Sequence, residues 1–320
     1  MSQLILYNVF NGLIIGAFYA LMALGLSLIL NLSGVINFAH GGFLAIGAYL
    51  AYQLMLGIGI PAFAFAGLSL GGHWLIPAFN FAGMTLIPGI GFWAALVIAP
   101  ILTAILGCII EKILIRPLYG RDPLYSLLLT FGLAFMIEDG TRFIWGPQTL
   151  PFAVPDVLST PLSPDFFFLT GYRLFMVGLV TLTVIVLFVV LNYTRLGMRI
   201  RAGTLDLETV SVLGVNVRIL RNLNFGLGIY LAGLAGVLAA GMLGLQPTIG
   251  TDLIMPSFVA IIVGGLGSLP GTLVGGLLIG VASGLTAVFF PSATEAVIYV
   301  MMGLVLLVRP RGLFGEEGRF

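Results

Sequence analysis

No Asp, Glu, Lys or Arg occurs before Glu111, and this uncharged stretch constrains the fold more than any other feature of the chain. Over the full length 60% of residues are hydrophobic and 8% are charged, whereas soluble domains have about 25% charged residues. Such a chain cannot cover a water-facing surface with polar groups, so lipid has to cover it. The first apolar run lacks the basic start of a signal peptide, so we expect it to remain as the first membrane span.

Nine segments are apolar enough to predict membrane helices, each of which needs about 20 residues. They are 8–30, 41–60, 92–115, 124–140, 174–194, 223–245, 253–267, 271–290 and 296–308. We therefore predict an all-α polytopic membrane helix bundle with about 9 transmembrane helices (roughly 8–10) and broken or re-entrant segments, in a single transmembrane domain over 1–320. Prolines and glycines interrupt 61–91, which we expect to be an inserted external segment, a re-entrant segment or a tenth span.

The basic residues predict the orientation of the bundle. Eleven of the 13 lysines and arginines fall in three loops, 112–121, 195–221 and 309–319, and only Arg142 and Arg173 fall elsewhere. Loops rich in Lys and Arg remain on the cytoplasmic side. We therefore expect the N-terminus outside and the C-terminus in the cytoplasm.

Glycines recur at a spacing that places them on one face of a helix, and 44 glycines occur in all. Faces of this kind let helix backbones approach closely within a membrane. We predict such packing faces at Gly12/Gly16, Gly271/Gly275, Gly276/Gly280 and Gly280/Gly284.

Two polar stretches, 31–42 and 264–271, interrupt apolar sequence. Transporters commonly bind substrate where membrane helices are discontinuous. The neutral donors and acceptors in these two stretches suit a zwitterion, because the solute has to be released again after it binds. The predicted substrate-pathway residues are Ser33, Asn37, His40, Gly41, Gly264, Gly265, Gly267 and Ser268. Ordinary turns with capping residues are the alternative, with His40 as a hydrogen-bonded structural histidine.

Glu138 and Asp139 lie four and three residues before Arg142, respectively. This spacing predicts a local ion pair on a helix, and a role at the external mouth is the alternative.

The segment 195–222 is the longest polar stretch of the chain. Leu205, Thr209, Val212 and Leu213 recur in it at helical spacing, with Asp206 offset from them. We predict short amphipathic helices that lie against the bundle and dock a partner, with a solvated connector as the alternative.

Enzymatic and nucleic-acid functions are not supported by the sequence. Lys112 is the only lysine, and no Gly-Lys-Ser/Thr phosphate loop surrounds it; Gly67–Gly71 matches G-x-S-x-G but lies in apolar membrane sequence. One cysteine, Cys108, and two separate histidines do not make a metal site. A net charge of +1 offers no basic field for nucleic acid. We expect no catalytic residue, cofactor or metal.

The segments Asn11–Ile29, Gly34–Gly42, 201–214, 232–236 and 263–271 resemble, in this order, the LivH-type permease of branched-chain amino-acid ABC importers. The resemblance extends over nearly the whole chain. It implies a helical permease in the inner (plasma) membrane of a bacterium or archaeon. It also implies a second related, LivM-like permease, two cytoplasmic ABC ATPases and an external solute-binding protein as partners.

The same resemblance assigns 195–222 as the cytoplasmic coupling loop, because Glu208 and Gly214 have its characteristic spacing. The implied ATPase-coupling residues are Arg201, Ala202, Asp206, Glu208, Leu213 and Gly214. Thr209 and Val210 replace the two alanines usual in this loop, and its downstream Leu-Pro is missing.

The sequence thus predicts a permease subunit that translocates branched-chain or other hydrophobic amino acids with ATP hydrolysed by separate subunits. A urea or short-chain amide permease of the same family is an alternative. A self-sufficient secondary transporter or channel is a weaker one, because the clean spans lack the ionisable residues that ion coupling uses.

Overall fold

The computed structural model describes residues 2–60, 63–65, 68–70, 73–76, 79–81, 84–160 and 170–315. Within them the chain is a helical bundle, as predicted. Its α-helices are α1 Ser2–Ser33, α2 Ala39–Leu56, α3 Gly91–Ile110, α4 Pro123–Trp145, α5 Asp156–Ser159, α6 Gly171–Tyr193, α7 Arg195–Leu205, α8 Leu207–Val212, α9 Val217–Leu243, α10 Ile249–Gly264, α11 Leu269–Phe289 and α12 Ala296–Val308. A π-helical turn, Glu111–Ile115, and a 3-10 turn, Arg116–Leu118, extend α3, and a second 3-10 turn, Pro291–Ala293, precedes α12.

Each of the nine predicted spans coincides with one of these helices. Five helical stretches among the described residues are long and apolar enough to cross a membrane: Leu4–Ser33, Gly91–Leu118, Gly171–Tyr193, Val217–Leu243 and Leu269–Phe289. The helices α10 and α12 are apolar but shorter. The predicted spans on α2, α4, α10 and α12 lie on helices outside this group of five.

Short antiparallel strands form between α2 and α3. They are β1 Gly57–Ile60, β2 Phe63–Phe65, β3 Leu68–Leu70, β4 His73–Ile76, β5 Phe79–Phe81 and β6 Met84–Pro88. They pair in nested fashion, β1 with β6, β2 with β5 and β3 with β4. The described residues of the predicted 61–91 insertion are thus mainly extended rather than helical, while Gly67 and Gly71 lie outside the described residues.

The helices α1 and α9 form the centre of the bundle. Their most apolar windows are 78% and 72% buried, whereas those of α3 and α6 are 33% and 28% buried. A helix that is apolar on all sides suits this central position, because it meets other helices in every direction. The peripheral helices keep apolar side chains on their outer faces, as lipid contact requires.

A glycine seam joins α1 to α11. A Cβ atom on Gly12 would lie 2.4 Å from the Gly280 carbonyl oxygen, and one on Gly280 would lie 2.4 Å from the Gly16 Cα. Gly276 and Gly284 meet α1 in the same way, against Ala20 and Asn8. The predicted packing role of these glycines is confirmed.

The Gly271/Gly275 face packs on a different helix. A Cβ on Gly275 would lie 2.3 Å from the Ala260 carbonyl oxygen of α10, and one on Gly271 would lie 2.2 Å from that of Gly264. Opposite faces of α11 therefore bind α1 and α10, which fixes both helices around it.

The three basic loops lie on one face of the bundle, which we call the basic face. Cys108, at the end of α3, contacts Asn222 at the start of α9, and the tail residue Leu313 donates a backbone hydrogen bond to Val263 at the end of α10. On the opposite face, Leu150 and Leu245 form a β-bridge. Arg319 lies outside the described residues.

Replacing Gly280 with valine should destabilise the bundle by about 1–3 kcal/mol, because the added atoms would meet α1 backbone that cannot rotate away. The measurement is the thermal unfolding midpoint of the detergent-solubilised protein. Gly178→Ala in α6 is the control, since a Cβ there has no neighbour within 4 Å. Equal midpoints for the two variants would contradict the seam.

Candidate substrate pathway and coupling surface

The first polar stretch is a break in the helical structure, as predicted. The helix α1 ends at Ser33, Gly34 takes a φ of +65°, and α2 begins at Ala39. His40 Nε2 lies 3.2 Å from the Met22 carbonyl oxygen. Met22 is eleven residues before the end of α1, which corresponds to about 16 Å along the helix axis. The helix α2 therefore begins inside the bundle rather than at its surface.

The helix α10 begins at the same depth. A Cβ on Gly41 would lie 2.4 Å from the Gly250 carbonyl oxygen, so the first turns of α2 and α10 touch. The N-terminus of a helix presents unpaired N–H groups and a partial positive charge. Two such ends that meet within a membrane bundle are the arrangement in which transporters hold solutes.

Buried polar atoms accompany this junction. Asn37 is fully buried, and its amide oxygen and nitrogen both lack a hydrogen-bond partner among the described residues; Nδ1 of His40 lacks one as well. Unpaired buried polar groups are costly, so each calls for an explanation. The Asn37 amide is available to a water or a solute. His40, in contrast, contacts the Met22 carbonyl of α1, which agrees with the alternative of a hydrogen-bonded structural histidine.

Ser33 and Gly41 occupy the ends of the same break. Ser33 is the last residue of α1 and lies beside the phenol of Tyr119. Burial raises the pKa of that phenol. Gly41 provides the close approach to α10. Asn37, His40 and Gly41 thus lie at one junction, whereas Ser33 lies at the other end of the break, about 16 Å away along α1.

The second polar stretch is also a break, but it lies at the basic face. The helix α10 ends at Gly264, Gly265 and Gly267 take φ values of +107° and +91°, and Ser268 accepts a 3.1 Å hydrogen bond from the Gly271 amide at the start of α11. The tail closes over the end of α10, because Phe314 donates a backbone hydrogen bond to Gly264 at 3.0 Å. The second stretch therefore does not reach the junction of α2 and α10, and it meets only the start of the first stretch, at Asn31.

Gly267 instead shares a cavity of about 340 Å³ with Arg201 of α7 and Asn31 of α1. The sequence assigned Gly267 to the pathway and Arg201 to coupling. Their common cavity places the second break next to the predicted coupling segment. Leu269 and Pro270 at the start of α11 line the same cavity.

The predicted coupling segment forms α7 and α8. Asp206 caps α8, since its Oδ1 accepts hydrogen bonds from the Glu208 and Thr209 amides at 2.9 Å and 3.1 Å. The Thr209 hydroxyl also donates to Asp206 Oδ2, and these bonds lower the pKa of the Asp206 carboxyl. Gly214 ends this part with a φ of +83°, which favours glycine.

The prediction of which apolar residues of this segment lie against the bundle is wrong. Leu205, Val212 and Leu213 are 75%, 83% and 76% exposed. Ile200, Gly203 and Val210 are buried in their place. The segment is helical, as its periodicity predicts, but a turn between α7 and α8 changes the face. The exposed apolar residues, with Glu208 also exposed, form what we call the coupling surface.

Arg201 and Ala202 lie on α7 rather than on this surface. The Arg201 guanidinium donates to Asn192 Oδ1 at 3.0 Å and ties α7 to the end of α6. Ala202 is half-buried against the core.

The structure contains a buried charge cluster that the sequence does not predict. Glu111 is fully buried, and its carboxylate pairs with Arg116 at 2.7 Å and accepts from Asn222 at 2.5 Å. The Arg221 guanidinium lies 4.6 Å from the centre of the Tyr119 ring. This cluster joins the end of α3 to the start of α9, directly after the coupling surface. Its only sequence signal is an acidic residue at the end of a span with an arginine five residues later.

The predicted ion pairs of α4 are confirmed. Arg142 pairs with Glu138, and its other nitrogen lies 3.4 Å from Asp139 Oδ1. Glu138 is buried, and its second oxygen accepts a 3.0 Å hydrogen bond from Thr251 of α10. No group of three metal-ligating residues occurs in the part of the chain that the structure describes.

Removal of the α8 cap should loosen the coupling surface. In Asp206→Ala the amides of Glu208 and Thr209 lose their acceptor, so their hydrogen exchange should be faster than in wild type, whereas Asp206→Asn should retain slow exchange. Because folding lowers the Asp206 pKa, the cap is present at neutral pH and is lost only as the pH falls through the folded-state pKa. Equal exchange in wild type and Asp206→Ala would contradict the cap.

Comparison with known proteins identifies the family. The family model described as "Branched-chain amino acid transport system / permease component" matches residues 8–308. The chain is 31% identical to the high-affinity branched-chain amino acid transport system permease protein LivH of Escherichia coli K12, over 99% of this chain and 98% of that protein. It is 32% identical to BraD of Pseudomonas aeruginosa over 97% and 96%, and 26% identical to a probable LivH of Methanocaldococcus jannaschii over 93% and 88%. This chain therefore belongs to the family of permease components of branched-chain amino acid transport systems.

Proposed function

We propose that this chain is the membrane-spanning permease subunit of an ABC importer that translocates branched-chain or other hydrophobic amino acids. The observation that supports this most is the family match, which covers residues 8–308 and therefore nearly all of the helical bundle. The relatives LivH and BraD are named as permeases of branched-chain amino acid transport. The chain contributes the path, and ATP hydrolysis resides in other subunits.

The partners are a second related permease, two cytoplasmic ATPases and an external solute-binding protein. The coupling surface supports an ATPase partner, because Val212 and Leu213 are apolar and largely exposed beside Glu208. Exposed apolar side chains on a short, capped helix suit docking into a groove of a partner. The basic face then lies in the cytoplasm, with the N-terminus outside the inner membrane.

In the proposed mechanism, the ATPases move α7 and α8 when they close. The cavity shared by Arg201 and Gly267 lies between α7 and the second break, which passes this movement to α10. The helix α9 follows α8 directly, and the Glu111 cluster ties its start to α3. Both helices reach the junction of α2 and α10, where Asn37, His40 and Gly41 lie, while Ser33 lies at the other end of the same break. The junction is the gate, and the second break, Gly264 to Ser268, is the hinge beside the coupling surface.

The proposal is tested by reconstituting the chain with its partner subunits in proteoliposomes and measuring ATP-driven uptake of leucine and of urea. Leucine uptake that requires ATP and the binding protein is expected. Uptake of urea but not leucine would overturn the substrate assignment. Accumulation of solute by this chain alone, against its gradient, would overturn the assignment as a passive subunit.

Leu213→Glu should reduce leucine uptake by about 10-fold or more, because a charge on the coupling surface would lose its water on docking, at a cost of several kcal/mol. ATPase retention during co-purification should fall in parallel. Val157→Glu is the control, because Val157 is 83% exposed but lies in α5, near the opposite face. Normal uptake in Leu213→Glu would remove the coupling surface from this position.

A further inference from the structure

A groove of about 500 Å³ runs along the outer side of the bundle between α3 and α9, and we call it the α3–α9 groove. Side chains within 101–112 of α3 and its π-helical turn line one wall, and side chains within 222–230 of α9 line the other. Leu196 of α7 completes the lining. Both walls belong to helical stretches that are long and apolar enough to cross a membrane, so the groove lies at membrane depth.

The dimensions of the groove match a hydrocarbon chain. Ile101 and Lys112 are eleven residues apart, which corresponds to about 16 Å along the helix, or about half of an apolar layer that is about 30 Å thick. Over that length the volume gives a mean cross-section of about 30 Å². A hydrocarbon chain whose atoms pack at about 4 Å needs about 20 Å². An α-helix about 10 Å across needs about 80 Å², so a partner's helix does not fit into the groove.

The lining of the groove is mainly apolar. Ile101, Ile105 and Ile109 recur at one-turn spacing on the α3 wall, and each is about half exposed. The floor is set by the close approach of the two helices, since a Cβ on Gly226 would lie 2.6 Å from the Cys108 Sγ. Lipid tails are as apolar as leucine, so the tail of a lipid suits this lining.

One end of the groove carries an unpaired positive charge. Lys112 lines the groove, is exposed, and forms no ion pair within the described ranges of the chain. The neighbouring carboxylate of Glu111 is buried and pairs with Arg116 at 2.7 Å, so it does not neutralise Lys112. A lysine at the end of a span reaches the lipid headgroups while its methylene groups remain against apolar surface.

The helix α7 adds cations at the same end. Arg199 follows the groove residue Leu196 by three positions, so the two lie on one side of α7, and Arg195 directly precedes Leu196. Both arginines are exposed and form no ion pair with another described residue. No acidic residue occurs in 112–121 or in 195–205. Basic pockets between membrane helices recognise anionic lipid headgroups, and this end of the groove has that character.

We propose that the α3–α9 groove binds an anionic phospholipid, with one acyl chain between the two helices and the phosphate against Lys112. The lipid comes from the leaflet that meets the basic face. A zwitterionic phospholipid has the same chains and phosphate but adds a cation, which Lys112 and the arginines of α7 repel. Because Leu196 lines the groove, the bound lipid joins α7 to α3 and α9. This site goes beyond the proposed importer function and does not depend on which solute is carried.

Photo-crosslinking locates the lipid within the membrane. The full chain, with the subunits that co-purify with it, is reconstituted in liposomes that contain phosphatidylglycerol with a diazirine at the end of one acyl chain. Cross-links should fall at the deep end of the groove, within 101–105 and at Tyr230. Their yield should be at least ~5-fold higher than with a phosphatidylcholine that carries the same diazirine, because a basic residue near the headgroup favours an anionic lipid.

Lys112→Gln should lower the phosphatidylglycerol yield to the phosphatidylcholine level. Arg121→Gln is the matched control and should leave the yield unchanged, since it removes an exposed cation from the same basic loop but does not line the groove. Ala104→Phe, which fills the groove, should lower the yield of both lipids. The thermal unfolding midpoint of each variant shows that it is folded.

Equal yields for the two lipids in wild type, or equal yields for Lys112→Gln and Arg121→Gln, would overturn the site. Cross-links that fall only outside the groove, as they would if a partner subunit covers it, would also overturn it. A second measurement is the thermal unfolding midpoint in detergent. Added phosphatidylglycerol should raise it less in Lys112→Gln than in wild type and Arg121→Gln, because a ligand stabilises the folded state that binds it. The same rise in all three would contradict the proposal.

Discussion

The close approach of α1 and α11 through their glycines is the contact on which the rest of the bundle depends. Lipid supplies no hydrophobic force between helices, so association relies on van der Waals contact, which backbones achieve only where side chains are absent. Gly12, Gly16 and Gly280 provide this contact. With α11 packed against α1 on one face and α10 on the other, the three helices form a unit around which the broken segments are placed.

The breaks are tolerated because protein encloses the first and the second lies at the basic face. Irregular backbone at membrane depth has to be surrounded by protein or water, since lipid offers no hydrogen bonds. At the first break, α1, α10 and α4 enclose residues 34–38, and Thr130 of α4 accepts a hydrogen bond from the Phe38 amide at 3.3 Å. At the second break, the tail occupies the carbonyls that end α10. The two breaks have different surroundings, which supports separate roles as gate and hinge.

Charge is used sparingly in the chain and in two different ways. Glu111 is buried with Arg116 and Asn222, so its cost is offset by direct hydrogen bonds and its effect is to position α3 and α9. Asp139 is exposed near the end of α4, and its carboxylate lies 3.4 Å from Arg142. The first arrangement suits a structural joint, and the second places an ion pair on the surface of the bundle.

The sequence by itself determined the membrane class, the nine helical segments, the common face of the basic loops, the glycine packing faces and the α4 ion pairs. These follow from composition and from periodicity along one helix, which are local properties. Tertiary structure decided that α2 and α10 begin midway through the bundle, that Leu205, Val212 and Leu213 face outward, and that Gly267 shares a cavity with Arg201. It also joined Glu111 to Asn222 across the fold. Such relations depend on how distant helices meet, and periodicity along a single helix carries no information about its neighbours.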